Sequence, residues 1–433
     1  MKFFLAGIKG SGTASLACML HELGHDVSGC DKSTYYTFTE EELKQRNIPY
    51  YLNTDTDKIT KDMIFIYSQA LNDKEPEMIR AKELNLESYT LAEYIAILSK
   101  NYNTICIAGT HGKTTTTSMI SDILENTVGA SYIIGDGRGH INKNSSLMVI
   151  EADEFKKKFL LYEPTYSIIT NIEYDHVDIY NDINEITNAF QEFVNNTKDK
   201  VLVYGDTEKT RKLKSDKIIY YGTNDNNDVI AKNIELTPNG SNFDVYINNN
   251  FYHRFHLNIY GMHMLLNSLA CIYICSLIDI DKETIAKHIN EFKNAKRRYE
   301  EEKINDVIIV DDYAHHPTEV KTVIETSRQK YPDKEMVLVL IPYTLSRTKA
   351  FYKEFADVLK LCDKAYITDI EAAREDPKDF EGITSNLILD LVPNSEHISK
   401  ETIDKLYNHN NAVIAFLGCK DPTWLTDAYK KGL

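Results

Sequence analysis

Short apolar runs alternate with longer amphipathic stretches along most of the chain. "KFFLAG", "HDVSGCD" and "KDMIFIYSQA" read as strands, and "IKGSGTASLACMLHELG" reads as a glycine turn entering a helix. Further on, "NTICIAG", "SYIIG", "SLMVIEAD", "YSIITNI" and "KVLVYGD" are strand candidates, and "DVIIVDDYA", "EMVLVLI", "KAYITDI" and "NAVIAFLG" follow towards the end. Repeated strand–helix alternation with apolar strands is the mark of parallel sheets covered on both faces. Around 221–258 the pattern changes: "SNFDVYINNNFYHRFHL" mixes polar and aromatic positions, which predicts antiparallel hairpins attached to a sheet. A helix is expected next, over "GMHMLLNSLACIYICSLI". The pattern divides the chain into α/β blocks at about 1–98, 99–295 and 296–433, the last read as another parallel unit.

Composition narrows the function classes. The chain has 433 residues, 42% hydrophobic and 26% charged, as expected of a soluble chain of several domains. Its formal net charge of -16 disfavours nonspecific binding to nucleic acid or anionic membrane, so neither is an expected partner. None of the 7 cysteines forms a CxxC pair, and reduced core thiols are expected. "MKFFLAGIKGSG" goes straight into a strand and turn without a signal peptide's apolar stretch, and "CIYICSLI" is too short to span a bilayer. A cytoplasmic monomer or weak homodimer is the expectation.

The densest chemistry lies in "ICIAGTHGKTTTTSMISDIL". A strict phosphate loop reads G-x-x-x-x-G-K-[ST], and its first glycine would fall at 107, where the chain has Ile107. The strand–loop–helix context is nevertheless intact. Gly109 and Gly112 allow the backbone amides of Thr110, His111 and their neighbours to turn inward, Lys113 can reach terminal phosphates, and Thr114, followed by Thr115, can place a hydroxyl on Mg²⁺. His111 can orient phosphate or merely shape the loop.

Acids end the next two strands: Glu151, Asp153 and Glu154 in "VIEADE", then Glu173, Asp175, His176 and Asp178 in "TNIEYDHVDIY". Loops at the carboxyl ends of neighbouring strands converge in such sheets, so Thr114, Glu151 and His176 are the candidate metal ligands. One hydroxyl, one carboxylate and one imidazole suit a divalent ion that also holds nucleotide phosphates. Zn²⁺ is disfavoured because no thiolate or second histidine is spaced for it. Glu154 and Asp178 read as solvated loop charges.

Other candidates are spread through the blocks. Gly7, Gly10 and Gly12, with Ser11, form GxxGxG at a helix start, suited to a diphosphate, with a plain tight turn as the competing reading. Asp31 ends the second strand where a ribose-binding acid would sit, and Ser68 ends a neighbouring strand. His263 and Asn267 share a helical face, and Asn267 can read an adenine edge. Arg297 and Arg298 lie at the junction of the second and third blocks, where one can clamp phosphate. The third block adds "DDYAHHPTEV", with Asp311, Asp312, Tyr313 and His315, and arginines Arg347 and Arg374 after later strands, suited to gripping a carboxylate.

"GTHGKTTTT", "EADE", "TNIEYDH", "KRRYE" and "DDYAHHPTEV", in this order, resemble the Mur ligases of cell-wall synthesis. The resemblance spans essentially the whole chain. It implies three domains: a Rossmann-like UDP-sugar-binding N-terminal domain, a central P-loop ATPase-type domain, and a C-terminal Rossmann-like amino-acid-binding domain. It further implies ATP with Mg²⁺ (Mn²⁺ as a substitute) and addition of L-alanine to the lactyl carboxylate of UDP-N-acetylmuramate through an acyl phosphate. By resemblance Lys113, His315 and Arg347 are catalytic, and Thr114, Glu151 and His176 hold metal. The loop from Gly109 to Thr115, His263, Asn267, Arg298, Asp311 and Asp312 would serve ATP. Gly7, Gly10, Ser11, Gly12, Asp31 and Ser68 would serve the UDP-sugar, and Tyr313, His315, Arg347 and Arg374 the amino acid. The chain departs from the common pattern at Met264, at Tyr343 in "IPY" and in "GCKD" at 418–421. The rival expectations are a ligase acting with murein tripeptide, a catalytically silent ATP-binding regulator and, weakest, a dehydrogenase.

Overall fold

The computed structural model describes every residue except Tyr35, His176, Val177, Asp178, Ala295, Lys296, Arg374, Asp421 and Leu433. The sequence-based assignments of His176 and Arg374 therefore lie outside the described residues.

Three sheets follow one another along the chain. The first runs β3-β2-β1-β4-β5, with β1 Lys2–Ala6, β2 Asp26–Asp31, β3 Tyr50–Leu52, β4 Met63–Tyr67 and β5 Ser88–Thr90, all parallel. β1 is its centre: Phe3 to Ala6 are fully buried because neighbours pair with it on both sides and helices cover both faces. The helix Ser11–Glu22 shows no single apolar stripe; Thr13 to Leu20 are all buried. It is covered on one side by its own sheet and on the other by the second domain, where the Ser15 hydroxyl donates to the carbonyl of Ile134 at 3.1 Å.

The second sheet is ten-stranded, in the order β15-β14-β13-β12-β11-β10-β6-β9-β7-β8. Its strands are β6 Asn103–Ala108, β7 Ser131–Ile133, β8 Gly139–His140, β9 Leu147–Glu151, β10 Tyr166–Ile169, β11 Lys200–Tyr204, β12 Ile218–Gly222, β13 Val229–Thr237, β14 Gly240–Ile247 and β15 Asn250–Leu257. The central strands are parallel, and β13 to β15 form the expected antiparallel hairpins. Alternation along the strands sorts side chains between two cores. Ile105, Ile107, Val149 and Ile168 face the helices Lys113–Glu125 and Met262–Leu277, meeting Met119, Leu265 and Leu269. Cys106, Ala108, Ile150 and Ile169 face Phe190 and Phe193 of the helix Ile183–Asn196. Each of the larger buried side chains (isoleucine, valine, leucine, methionine and phenylalanine) contributes about 1.5–3 kcal/mol by leaving water, which fixes the strand ends that carry the site.

The third sheet runs β16-β17-β21-β18-β19-β20, with β16 Glu300–Ile304, β17 Val307–Asp312, β18 Glu335–Leu340, β19 Lys364–Ile367, β20 Ser395–His397 and β21 Ala412–Leu417. It is not the purely parallel unit the pattern suggests. β16 pairs antiparallel with β17 after a tight turn in which Asn305 takes φ 55°. Its sequence "EEEKI" is exposed along the edge, where charge blocks further strand addition. Among the described residues no helix is long and apolar enough to cross a membrane.

Candidate active site

The phosphate loop leaves β6 and enters the helix Lys113–Glu125. Its two glycines are needed for space as well as for backbone angles: at Gly109 (φ 135°) a Cβ would lie 2.1 Å from Thr170 Oγ1, and at Gly112 (φ 84°) 2.8 Å from Asn267 Oδ1. Gly112 is the N-cap and offers no side chain, so amides of the first turn remain available to an anion. Lys113 Nζ donates to the carbonyls of Gly109 (2.6 Å) and Thr110 (3.2 Å) and pairs with Glu154 at 2.8 Å. This corrects the reading of Glu154 as a solvated charge: it is fully buried, because the chain after β9 folds back under the loop.

Thr114 and Glu151 meet as expected. The Thr114 hydroxyl donates to Glu151 Oε1 at 2.9 Å, and the Gly135 amide donates to Oε2 at 2.6 Å. Burial raises the Glu151 pKa, opposed by the Gly135 amide and by Lys113. The two converging oxygen donors fit a hard ion such as Mg²⁺. Glu151→Gln should weaken the apparent Mg²⁺ affinity for nucleotide use, since it replaces a charged donor by a neutral one. A Mg²⁺ titration of ADP release that superimposes on wild type would remove Glu151 from the metal set.

Two cavities flank the loop. One, of about 1500 Å³, runs from Gly10, Ser11, Gly12 and Ser68 of the first domain past Thr110 to Thr114 and Glu151 to Arg298, Asp311, Tyr313 and His315 of the third. Gly7 and Asp31 are not on its wall. Asp31 instead accepts the amides of Lys9 (3.1 Å) and Ser33 (2.9 Å), bracing the glycine turn from behind. The other cavity, of about 1290 Å³, is lined by His111, Thr115, His263, Asn267, Arg298 and Asp312 among others. Within it burial lowers the pKa of His263 to about 4, helped by the charge of Arg298. Burial likewise raises that of Asp312 to about 6, against Arg298 and the amides of Ala314 and Tyr299.

The third domain reaches the loop through "DDYAHHPTEV" and the residues after β18. Arg297, beside Arg298, pairs with Asp311 at 3.3 Å and donates to the carbonyls of Gly418, Cys419 and Lys420, tying the "GCKD" loop down. Cys419 Sγ lies 2.8 Å from the Tyr313 hydroxyl, and Lys420 pairs with Glu371, the residue whose backbone bridges Tyr343. His315 donates from Nδ1 to the carbonyl of Tyr313 (2.9 Å), which leaves Nε2 as the basic nitrogen. Burial lowers its pKa, so it is neutral near pH 7. Arg347 is off the wall of both cavities; its Nη2 pairs with Asp175 Oδ1 of the central domain at 2.8 Å, and both residues are buried.

Glu319 was not singled out from the sequence. It caps the helix Pro317–Lys330, accepting the amides of His315 (2.9 Å) and His316 (3.2 Å), and its other oxygen meets His111 Nδ1 at 3.1 Å. Burial works against charge on His111, but the carboxylates of Glu319 and Glu173 outweigh it and raise the pKa to about 10. The glutamate three residues after the N-cap was the available signal, a capping box.

The comparisons with known proteins cover the same three units. Residues 5–103 match the model of the Mur ligase family catalytic domain, 107–275 the Mur ligase middle domain, and 297–417 the Mur ligase glutamate ligase domain. In fold, the chain is similar to a UDP-N-acetylmuramate–alanine ligase from Thermotoga maritima, with a TM-score of 0.83 at 22% identity, covering 100% of this chain and 99% of that one. It is also similar to a murein peptide ligase from Psychrobacter arcticus, with a TM-score of 0.71 at 21% identity over 99% and 98% of the two chains. A pseudomurein peptide ligase type C from Methanothermus fervidus gives a TM-score of 0.71 at 19% identity over 100% of both. With three successive domain models matched in order over nearly the full length, the chain belongs to the Mur ligase family.

Proposed function

We propose that this protein joins L-alanine to the lactyl carboxylate of UDP-N-acetylmuramate at the expense of ATP, a cytoplasmic step in making peptidoglycan precursors. The supporting observation is the continuous cavity that starts at the first-domain glycine turn, passes the phosphate loop and ends at Tyr313 and His315. The UDP-sugar and the amino acid laid along it, with the ATP phosphates reaching it at the loop, would have their reacting ends beside Lys113 and Thr114.

The lactyl carboxylate attacks the γ-phosphorus of ATP, ADP leaves, and the carboxylate becomes an acyl phosphate. The alanine amine then attacks the carbonyl carbon and inorganic phosphate departs. Lys113 and the first-turn amides lie where charge builds on the phosphoryl oxygens. Thr114 and Glu151 would hold Mg²⁺, which supplies further neutralisation of phosphate charge. The adenosine would lie in the second cavity, against Asn267 and His263. His315 Nε2, left free because Nδ1 donates to the carbonyl of Tyr313, would accept the proton released by the alanine ammonium.

An ADP-release assay over UDP-N-acetylmuramate paired with alanine, serine, glycine or murein tripeptide tests the reading. Release is expected to depend on both substrates and to be fastest with alanine. Preference for the tripeptide would replace the proposal by the murein-peptide activity, and no release with any pair would indicate a silent ATP-binding protein.

A further inference from the structure

Three loops from two domains bring His111, Glu173 and His316 together, with one ligand-capable atom from each within 4.8 Å of the others. His111 belongs to the phosphate loop, Glu173 follows β10, and His316 is the N-cap of the helix Pro317–Lys330 in the third domain. The fine geometry is that of ligands. His111 meets a carboxylate oxygen of Glu319 with Nδ1 at 3.1 Å, which occupies Nδ1 and leaves Nε2 as the nitrogen that could face an ion. That Nε2 is buried with no hydrogen-bond partner, and Glu173 Oε2 lies 3.6 Å from it. A histidine whose far nitrogen is held by a carboxylate is the usual form of a metal-bound imidazole. His316 is only 5% exposed, its Nε2 also lacks a partner, and its Nδ1 lies 3.8 Å from the same Glu173 oxygen. That Nδ1 otherwise receives only a long contact of 3.4 Å from the Thr318 amide. Bonds of about 2.0–2.2 Å set tetrahedral ligands about 3.4 Å apart, so both histidines would draw in on Glu173 from 3.6 and 3.8 Å, and on each other from within 4.8 Å, to close the set.

We propose that His111, Glu173 and His316 form a second cation site that takes a divalent transition ion of the Zn²⁺ class, with Glu319 orienting His111 from behind. Two imidazoles and a carboxylate suit such an ion better than Mg²⁺, which prefers an oxygen shell. Its ligands differ from the Thr114–Glu151 pair: Glu173 lines the second cavity, Thr114 and Glu151 line the first, and His111 lies on the wall of both. Because His316 comes from the third domain, a bound ion would cross-link that domain to the phosphate loop and slow turnover.

The test uses the full chain treated with EDTA, without nucleotide, titrated with Co²⁺ and followed by its visible ligand-field absorption. A single equivalent of Co²⁺ should give a tetrahedral-type band that Zn²⁺ displaces. Glu151→Gln should keep the band. His316→Asn, which retains an N-capping side chain, and Glu173→Gln should each abolish it, and Glu319→Gln should weaken Co²⁺ binding by about 10–100-fold. Absence of the band in wild type, its loss in Glu151→Gln, or its survival in both His316→Asn and Glu173→Gln would overturn the assignment.

Discussion

Under the proposed reaction, Lys113→Ala should lower turnover by about 10²-fold or more, because it would remove the cation assigned to the developing phosphoryl charge. The structure adds a second consequence, since the lysine also neutralises the fully buried Glu154. Removing one partner of a buried ion pair costs about 3–5 kcal/mol, because the remaining charge is left in a poor solvent. The single variant should therefore be less stable as well as slow. Lys113→Ala combined with Glu154→Gln should regain most of the stability and none of the activity. Denaturant unfolding together with ADP release separates the two roles. A double variant that recovers turnover would show that Lys113 serves only to neutralise its neighbour.

Arg347→Lys should reduce turnover with alanine by about tenfold or more, because lysine keeps the charge and loses the planar fork. Its partner in the structure is Asp175 of the central domain, at 2.8 Å and out of water. The pair therefore ties the third domain to the central one. Asp175→Asn should mimic the loss, and a double-mutant cycle should return a coupling of about 0.5–3 kcal/mol. Binding of UDP-N-acetylmuramate should be unchanged in both. If Arg347 also grips the amino-acid carboxylate, Arg347→Lys alone will raise KM for alanine. Arg347→Lys kinetics equal to wild type for alanine, glycine and serine would remove this residue from the reaction.

What could be read from the sequence was local. Strand, loop and helix of the phosphate loop are contiguous, and Lys113, Thr114 and the two glycines carry their chemistry within a few positions. The parallel strands announce themselves because burial on both faces makes them apolar throughout. β16 gives no such signal: "EEEKI" has no apolar period, and only its pairing with β17 makes it a strand. Long-range partners were equally silent. Glu154 lies 41 positions from Lys113, and Glu319 lies 208 positions from His111. His111 and His316 are likewise far apart in the sequence, yet the fold brings their rings to 4.9 Å.

The helix Ser11–Glu22 has consequences for how the domains can be recombined. Its second face is not solvent but the central domain, and the seam is tight: a Cβ at Gly139 would lie 2.2 Å from the Ser15 carbonyl oxygen. A chimaera that took only the N-terminal domain from a relative would bring a helix surface cut for another seam, and would bury mismatched groups or leave a void. The unit of exchange is therefore the first domain together with the 131–141 strip it rests on.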